Sequence, residues 1–208
     1  MIRAFIQARM SSSRFPGKAL APLAGRPLIE HVIARAAAAM PAEQIVVATS
    51  TDPADDALAE HVRRLGIAVF RGSLGNLVER FQGCLGAHPC DWFFRICADS
   101  PFLDETLFAR MMAYADDSEA DLVTNLFPRT FPHGQSLEMV RAETFAALDS
   151  SQLSAEEQEH ATRVFYAHPE AFQIVNLEPS EPVSLDVRLA VDTPEDIPRL
   201  EQRMATVR

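Results

Sequence analysis

Apolar residues fall along this chain in short β-branched or aromatic runs, separated by longer segments with helical spacing. Ile2, Phe5 and Ile6 open the first run, Ile45-Val46-Val47-Ala48 the second, residues 67–70 the third and residues 92–97 the fourth. Each is short enough to predict a strand buried on both faces. Between the first two, Leu28, Val32, Ile33 and Ala36 recur as one helix face, with Pro27 at the start. Asp52-Pro53 reads as N-cap and first residue of a second helix, with Leu58, Val62 and Leu65 inward and Gly66 ending it. Helices over residues 76–85 and 103–115 continue the rhythm. Strands alternating with helices predict βαβ units, hence a three-layer α/β/α domain with a mostly parallel sheet. Ligands are then expected outside the carboxyl ends of the strands.

After Asp121 the rhythm loosens. Leu122-Val123-Thr124 predicts a strand, and residues 127–134 a proline-broken loop. Residues 135–141 and 172–177 read as strands flanking a helix, for which Ser154 and Glu157 offer a capping box. Leu189-Ala190-Val191 predicts a last strand, followed by a helix opened by Thr193-Pro194-Glu195. No repeat or low-complexity linker divides the chain, so residues 1–208 are expected to form one domain. Residues from about 124 to 178 form a smaller flap subregion beside the sheet in this reading.

Composition narrows the function. A hydrophobic content of 48% suffices for a continuous core, and the net charge is −10. So acidic a surface repels nucleic acid and anionic lipid, and neither is expected as a partner. Cys84, Cys90 and Cys97 lack C-x-x-C spacing and read as reduced packing residues. No apolar stretch has the length of a bilayer span, and the apolar start stops at Gln7 and Arg9, unlike a secretory leader. The expectation is a soluble, cytoplasmic protein.

An anionic ligand must then be held by a local cluster of cations. Residues 7–18 supply one: Arg9, Arg14 and Lys18 with Ser11, Ser12 and Ser13, directly after a buried strand. Guanidinium forks, a lysine and open backbone N–H groups suit a triphosphate, although a solvated basic loop has the same composition. Neither G-x-x-x-x-G-K-[ST] nor G-x-G-x-x-G occurs. Asp99 and Asp192 each follow a predicted strand, where two carboxylates could hold Mg²⁺. Alternatively, Asp99 begins a turn before Pro101, and Asp192 assists a helix cap for which Thr193 is better placed. Arg95 also points from a strand end.

The stretch A-R-M-S-S-S-R-F-P-G-K, residues 8–18, closely resembles the signature loop of the sugar-activating cytidylyltransferases. These include CMP-Kdo synthetases, CMP-sialic acid synthetases and spore-coat-polysaccharide-type enzymes, the last being nearest in their I-Q-A-R-M start. R-I-C-A-D-S-P-F-L-D, residues 95–104, and V-D-T-P-E-D, residues 191–196, resemble two further motifs, with Ala98 where relatives usually carry glycine.

The resemblance implies a Rossmann-like nucleotidyltransferase domain with a flap or dimerisation subregion. It implies nucleotide-binding roles for Ala8, Arg9, Ser12, Arg14 and Lys18, and for Arg71, Ser73, Asn76, Arg80 and Arg95. Asp99 and Asp192 would hold Mg²⁺; Arg9, Arg14, Lys18 and Asp99 would carry catalysis; Gly134, Glu138 and His160 would face the sugar. Arg129, His133 and Arg163 are available to a substrate carboxylate. The implied reaction is attack by a hydroxyl of an acidic, nonulosonic or Kdo-like sugar on the α-phosphorus of CTP, releasing pyrophosphate, in a homodimer. GTP or UTP in place of CTP, or nucleotide binding without catalysis, are the alternatives. A glycosyltransferase is disfavoured because the chain has no D-x-D.

Overall fold

In the computed structural model, which describes residues 1–115 and 119–206, each β-branched run becomes a strand beside another. The first half contains β1 (Ile2–Gln7), a hairpin of β2 (Pro22–Leu23) and β3 (Arg26–Pro27), α1 (Leu28–Ala39), β4 (Ile45–Ser50) and α2 (Asp56–Arg64). There follow β5 (Ala68–Gly72), α3 (Leu77–Ala87), β6 (Trp92–Cys97) and α4 (Glu105–Met112). The second half adds β7 (Leu122–Thr124), β8 (Glu138–Arg141), α5 (Ala142–Ala146), α6 (Ala155–Glu159), α7 (Arg163–Ala167), β9 (Ile174–Asn176) and α8 (Asp196–Thr206).

Seven strands form one sheet in the order β5-β4-β1-β6-β8-β7-β9. Only β8 is antiparallel to its neighbours. β1 lies inside the sheet, with β4 on one side and β6 on the other, so the winding reverses beside it. Crevices open at such a reversal.

Side-chain alternation sorts the strands into two faces. Ala4, Ile6, Ile45, Val47, Phe94 and Ile96 pack with α1, α2 and α4. Phe5, Val46, Ala48 and Phe93 pack with α3, α5 and α7. On this second face the Phe93 ring stacks on Phe5 at 5.0 Å and meets Phe145 edge-on at 5.2 Å. Both faces are covered, which is why the strands read as continuous apolar runs. No described helix is long and apolar enough to cross a membrane.

Several elements differ from expectation for local reasons. Asp52 caps a single 3₁₀ turn, accepting from Ala54 N at 2.8 Å, and α2 starts only at Asp56. Leu65 lies beyond the last helical residue and is 41% exposed, because Gly66, at φ +76°, turns the chain away. The strand expected over residues 135–141 is shortened to β8 by Asn125. Its side chain donates to Gln135 O at 2.8 Å and accepts from Leu137 N at 3.0 Å, taking groups a ladder would have used. The one helix expected after β8 is three short ones, and the capping box of Ser154 and Glu157 starts the second. Residues 124–178 are part sheet and part cover, with β8 and β9 in the sheet and α5 and α7 on its aromatic face.

The expected strand at residues 189–191 lies outside any described ladder, with a bend at Ala190. It is tied by Leu189 N to His133 O and by Val191 N to Asp99 O, at 2.6 and 2.9 Å. The following helix is capped from within: Asp196 accepts from the N–H groups of Asp192 and Thr193 at 2.8 and 2.9 Å. Gly134 permits the close crossing, since its φ is +100° and a Cβ there would lie 2.3 Å from the Leu189 carbonyl carbon. Gly134→Ala is expected to cost about 2 kcal/mol or more through a strained backbone and a displaced 189–191 segment, read as a shift in urea midpoint.

Candidate active site

A cleft of about 490 Å³ opens where the strands β1 and β6 end. The polar loop after β1 forms its rim and folds back on itself, Gly17 N donating to Met10 O at 2.8 Å. Gly17, at φ +79°, makes the turn that brings Lys18 inward.

Each cation of this loop faces a carboxylate from a distant part of the chain. Lys18 Nζ donates to Asp99 Oδ2 at 2.8 Å and to Val191 O at 3.1 Å. Arg14 pairs with Asp192 Oδ1 at 2.8 Å, and His133 Nε2 stands 3.5 Å from the other Asp192 oxygen. Arg9 pairs with Glu159 at 3.3 Å. Because Val191 N donates to Asp99 O, the backbones carrying the two aspartates are stitched together. Asp99 and Asp192 therefore stand at one end of the cleft with Arg14 and Lys18. Among the described residues no cluster of three or more His, Cys, Asp or Glu offers a closed metal cage. Two carboxylates on an open cleft fit a hard divalent cation that keeps water and phosphate oxygens as its other ligands.

Arg95 reaches the cleft floor, donating to Gln7 Oε1 at 3.0 Å and to Glu138 Oε2 at 2.9 Å. Burial works against its charge, but the acidic groups around it, Cys97 and Glu138 foremost, outweigh burial and hold its pKa up. Glu138 itself is 1% exposed and lies beneath the floor, accepting also from the Tyr166 hydroxyl. Burial, then Glu138, pushes the Tyr166 hydroxyl upward, so it stays a donor. Burial likewise pushes the Cys97 thiol up to about 11, which removes it as a nucleophile near neutral pH.

Arg80, 3% exposed, lines the cleft with Nε on Ser73 O at 2.7 Å and Nη2 on Leu74 O at 2.9 Å. Burial lowers its guanidinium to about 10. Arg129 lines the opposite part and donates to Ser136 Oγ at 3.0 Å. Among the described residues these two cleft arginines have no carboxylate in salt-bridge range.

Ala8, Ser12, Gly134 and His160 also line the cleft. Arg71, Ser73 and Asn76 are not on its wall. Arg71 turns onto Ser50 O, Asp52 O and the Asp56 carboxylate; Ser73 Oγ accepts from Asn76 N; Asn76 caps α3 by accepting from Glu79 N. Leu74, Gly75 and Leu77 from the same stretch form the wall instead. Arg163 pairs with Glu156 at 3.2 Å, away from the cleft lining. Ala98 sits without a positive φ, so the usual glycine is not needed here. Sequence reasoning gives Gln7 and Glu159 no role of their own. Gln7 could have been found as the last residue of β1, on the same face as Arg95 of β6 and two residues along the register from it, whereas nothing local ties Glu159 to Arg9.

The sequence matches the family described as cytidylyltransferase over residues 4–203. It is 33% identical to the spore coat polysaccharide biosynthesis protein SpsF of Bacillus subtilis over 92% of this chain and 81% of that one. A cytidylyltransferase structure from Leptospira borgpetersenii superposes with a TM-score of 0.91 at 28% identity, covering 99% of this chain and 87% of that one. A CMP:2-keto-3-deoxy-manno-octonic acid synthetase structure, complexed with CTP, has the same fold, with a TM-score of 0.73 at 18% identity and 100% and 99% coverage. The seven-stranded α/β sheet is thus a nucleotidyltransferase fold, and the chain belongs to the cytidylyltransferase family.

Proposed function

We propose that the protein transfers CMP from CTP to a hydroxyl of an acidic sugar, with Mg²⁺, releasing pyrophosphate. The observation that carries this reading is the convergence of Lys18 with Asp99 and of Arg14 with Asp192 at one end of the cleft. Cations drawn from one loop suit a triphosphate, and the freed carboxylates suit its metal. The CTP complex of the related synthetase fold supports the choice of nucleotide, and the likeness to a polysaccharide biosynthesis protein supports a sugar acceptor.

In this reading the triphosphate takes Arg9, Arg14 and Lys18 from their carboxylate partners. The acceptor oxygen attacks the α-phosphorus, and the bond to the β-bridging oxygen breaks. The loop cations neutralise charge on the departing pyrophosphate, so positioned electrostatics supply most of the rate. Mg²⁺, held by Asp99 and Asp192, would neutralise phosphate charge and acidify the attacking hydroxyl. No side chain in the cleft is assigned as a dedicated general base. Arg80, with Leu74, Gly75 and Leu77, belongs to the nucleoside side. Residues 124–178 supply the acceptor side, where Arg129, His133, Gly134 and His160 face the cleft. Arg129, lacking an acidic partner, is the group for the sugar carboxylate.

Pyrophosphate release should be measured with Mg²⁺, four nucleoside triphosphates and a panel of acidic sugars. The expected result is CTP-dependent release, with kcat/KM reduced about a thousandfold or more in Asp99→Asn. Release with GTP or UTP alone overturns the base assignment, and CTP binding without turnover on any acceptor overturns the catalytic one. Arg129→Ala is expected to raise the acceptor KM about tenfold or more while leaving the CTP dissociation constant unchanged. The reading also includes a cytoplasmic homodimer. Sedimentation at working concentration should give twice the 23.0 kDa chain mass, and a monomer mass overturns that part.

A further inference from the structure

Asp55 lies between β4 and α2, outside the cleft lining, and is 1% exposed. A carboxylate so far from water persists only where donors replace its hydration. Three donors are local: Thr49 Oγ1 at 3.0 Å, Ser50 N at 3.1 Å and Ser50 Oγ, all on Oδ2. The fourth is not. Met10 N, forty-five residues away in the polar loop, donates to Oδ1 at 2.7 Å.

Stabilising the turn after β4 requires only the local donors. The bond to Met10 reaches the loop at a residue that also ties its two ends together. Met10 also accepts, through its carbonyl, the N–H of Gly17. Arg9 precedes Met10 and Lys18 follows Gly17, so both arms of the loop hang from one residue, and that residue hangs from Asp55. Burial alone would raise the Asp55 carboxyl, but the bonds from Ser50, Met10 and Thr49 outweigh it and lower its pKa, keeping it charged. Charged acceptors make the stronger hydrogen bonds.

We propose that Asp55 is the positioning residue of the anion-binding loop, setting through Met10 where Arg9 and Lys18 stand to receive the nucleotide. This rests on the functional reading above for its ligand, though not for the loop's geometry.

Asp55→Asn tests it with two readouts. Trypsin should cut the loop after Arg9, Arg14 or Lys18 about tenfold faster than in wild type, since releasing one charge-assisted bond opens the segment. CTP with Mg²⁺, followed by calorimetry, should show a dissociation constant raised about tenfold at unchanged stoichiometry. A fallen stoichiometry with an unchanged constant reports unfolded protein only and overturns the proposal, as does loop cleavage at the wild-type rate. Wild-type protein that binds no CTP tells against the CTP reading, and the cleavage rate alone then decides Asp55. Ser50→Ala removes a local donor and is expected to keep both values within about twofold of wild type; weakening equal to that of Asp55→Asn overturns the proposal. Should Asp55→Asn fail to fold, wild-type amide exchange decides. Met10 should exchange at least about tenfold more slowly than Ser11 and Ser13, and equal rates overturn the proposal.

Discussion

The ammonium of Lys18 touches two distant parts of the chain at once, the carboxylate of Asp99 and the carbonyl of Val191. Most of the site depends on this junction. It joins the loop after β1 to the end of β6 and to the segment leading into α8, three pieces that no local structure would bring together. Its geometry requires β1 and β6 to be parallel neighbours in register, Gln7 beside Cys97, so that the chain leaves both strands at the same edge. The apolar faces secure that register, since a one-residue slip would turn Phe5 and Phe93 into the opposite layer.

Around this junction the charges are arranged as exchangeable pairs. Arg14 with Asp192 and Arg9 with Glu159 are largely exposed at the arginine end, where ion pairs contribute little net stability. Arg95 with Glu138 is different, the arginine lying in the floor over a buried carboxylate and the pair being satisfied by Gln7 and Tyr166. Breaking a buried pair leaves a charge without hydration, so this one behaves as a fixed part of the scaffold. The rim can therefore reorganise around an anion while the floor stays in place.

The first half of the fold was legible because its signals are local. Trp92–Cys97 reads as a strand from its apolar run, and Pro27 and Gly66 mark helix ends by backbone chemistry. The second half was less so, because side chains take over backbone duties there. Asn125 occupies the groups that would have lengthened β8, and Asp196 caps from a position one turn late. The cations of the loop and the two aspartates could be named from sequence, but their pairing could not, since Glu159 and Asp192 meet Arg9 and Arg14 only through the fold. Arg71 and Asn76 show the converse: a stretch beside the cleft whose polar side chains are spent on the turn itself.

The reversed strand β8 divides the molecule's freedom to vary. Running against its neighbours, it brings its first residue, Glu138, level with Arg95 at the cleft, so the chain before it passes over the opening. The Lys18 half of the cleft is built by segments that leave strands, and the other half largely by the segment that arrives at β8. A lineage could recolour Leu126, Arg129 or Ser136, which line the cleft, provided that His133 and Gly134 stay to hold the 189–191 segment and with it the junction at Lys18. The fold thus sets a fixed junction beside an interchangeable mouthpiece.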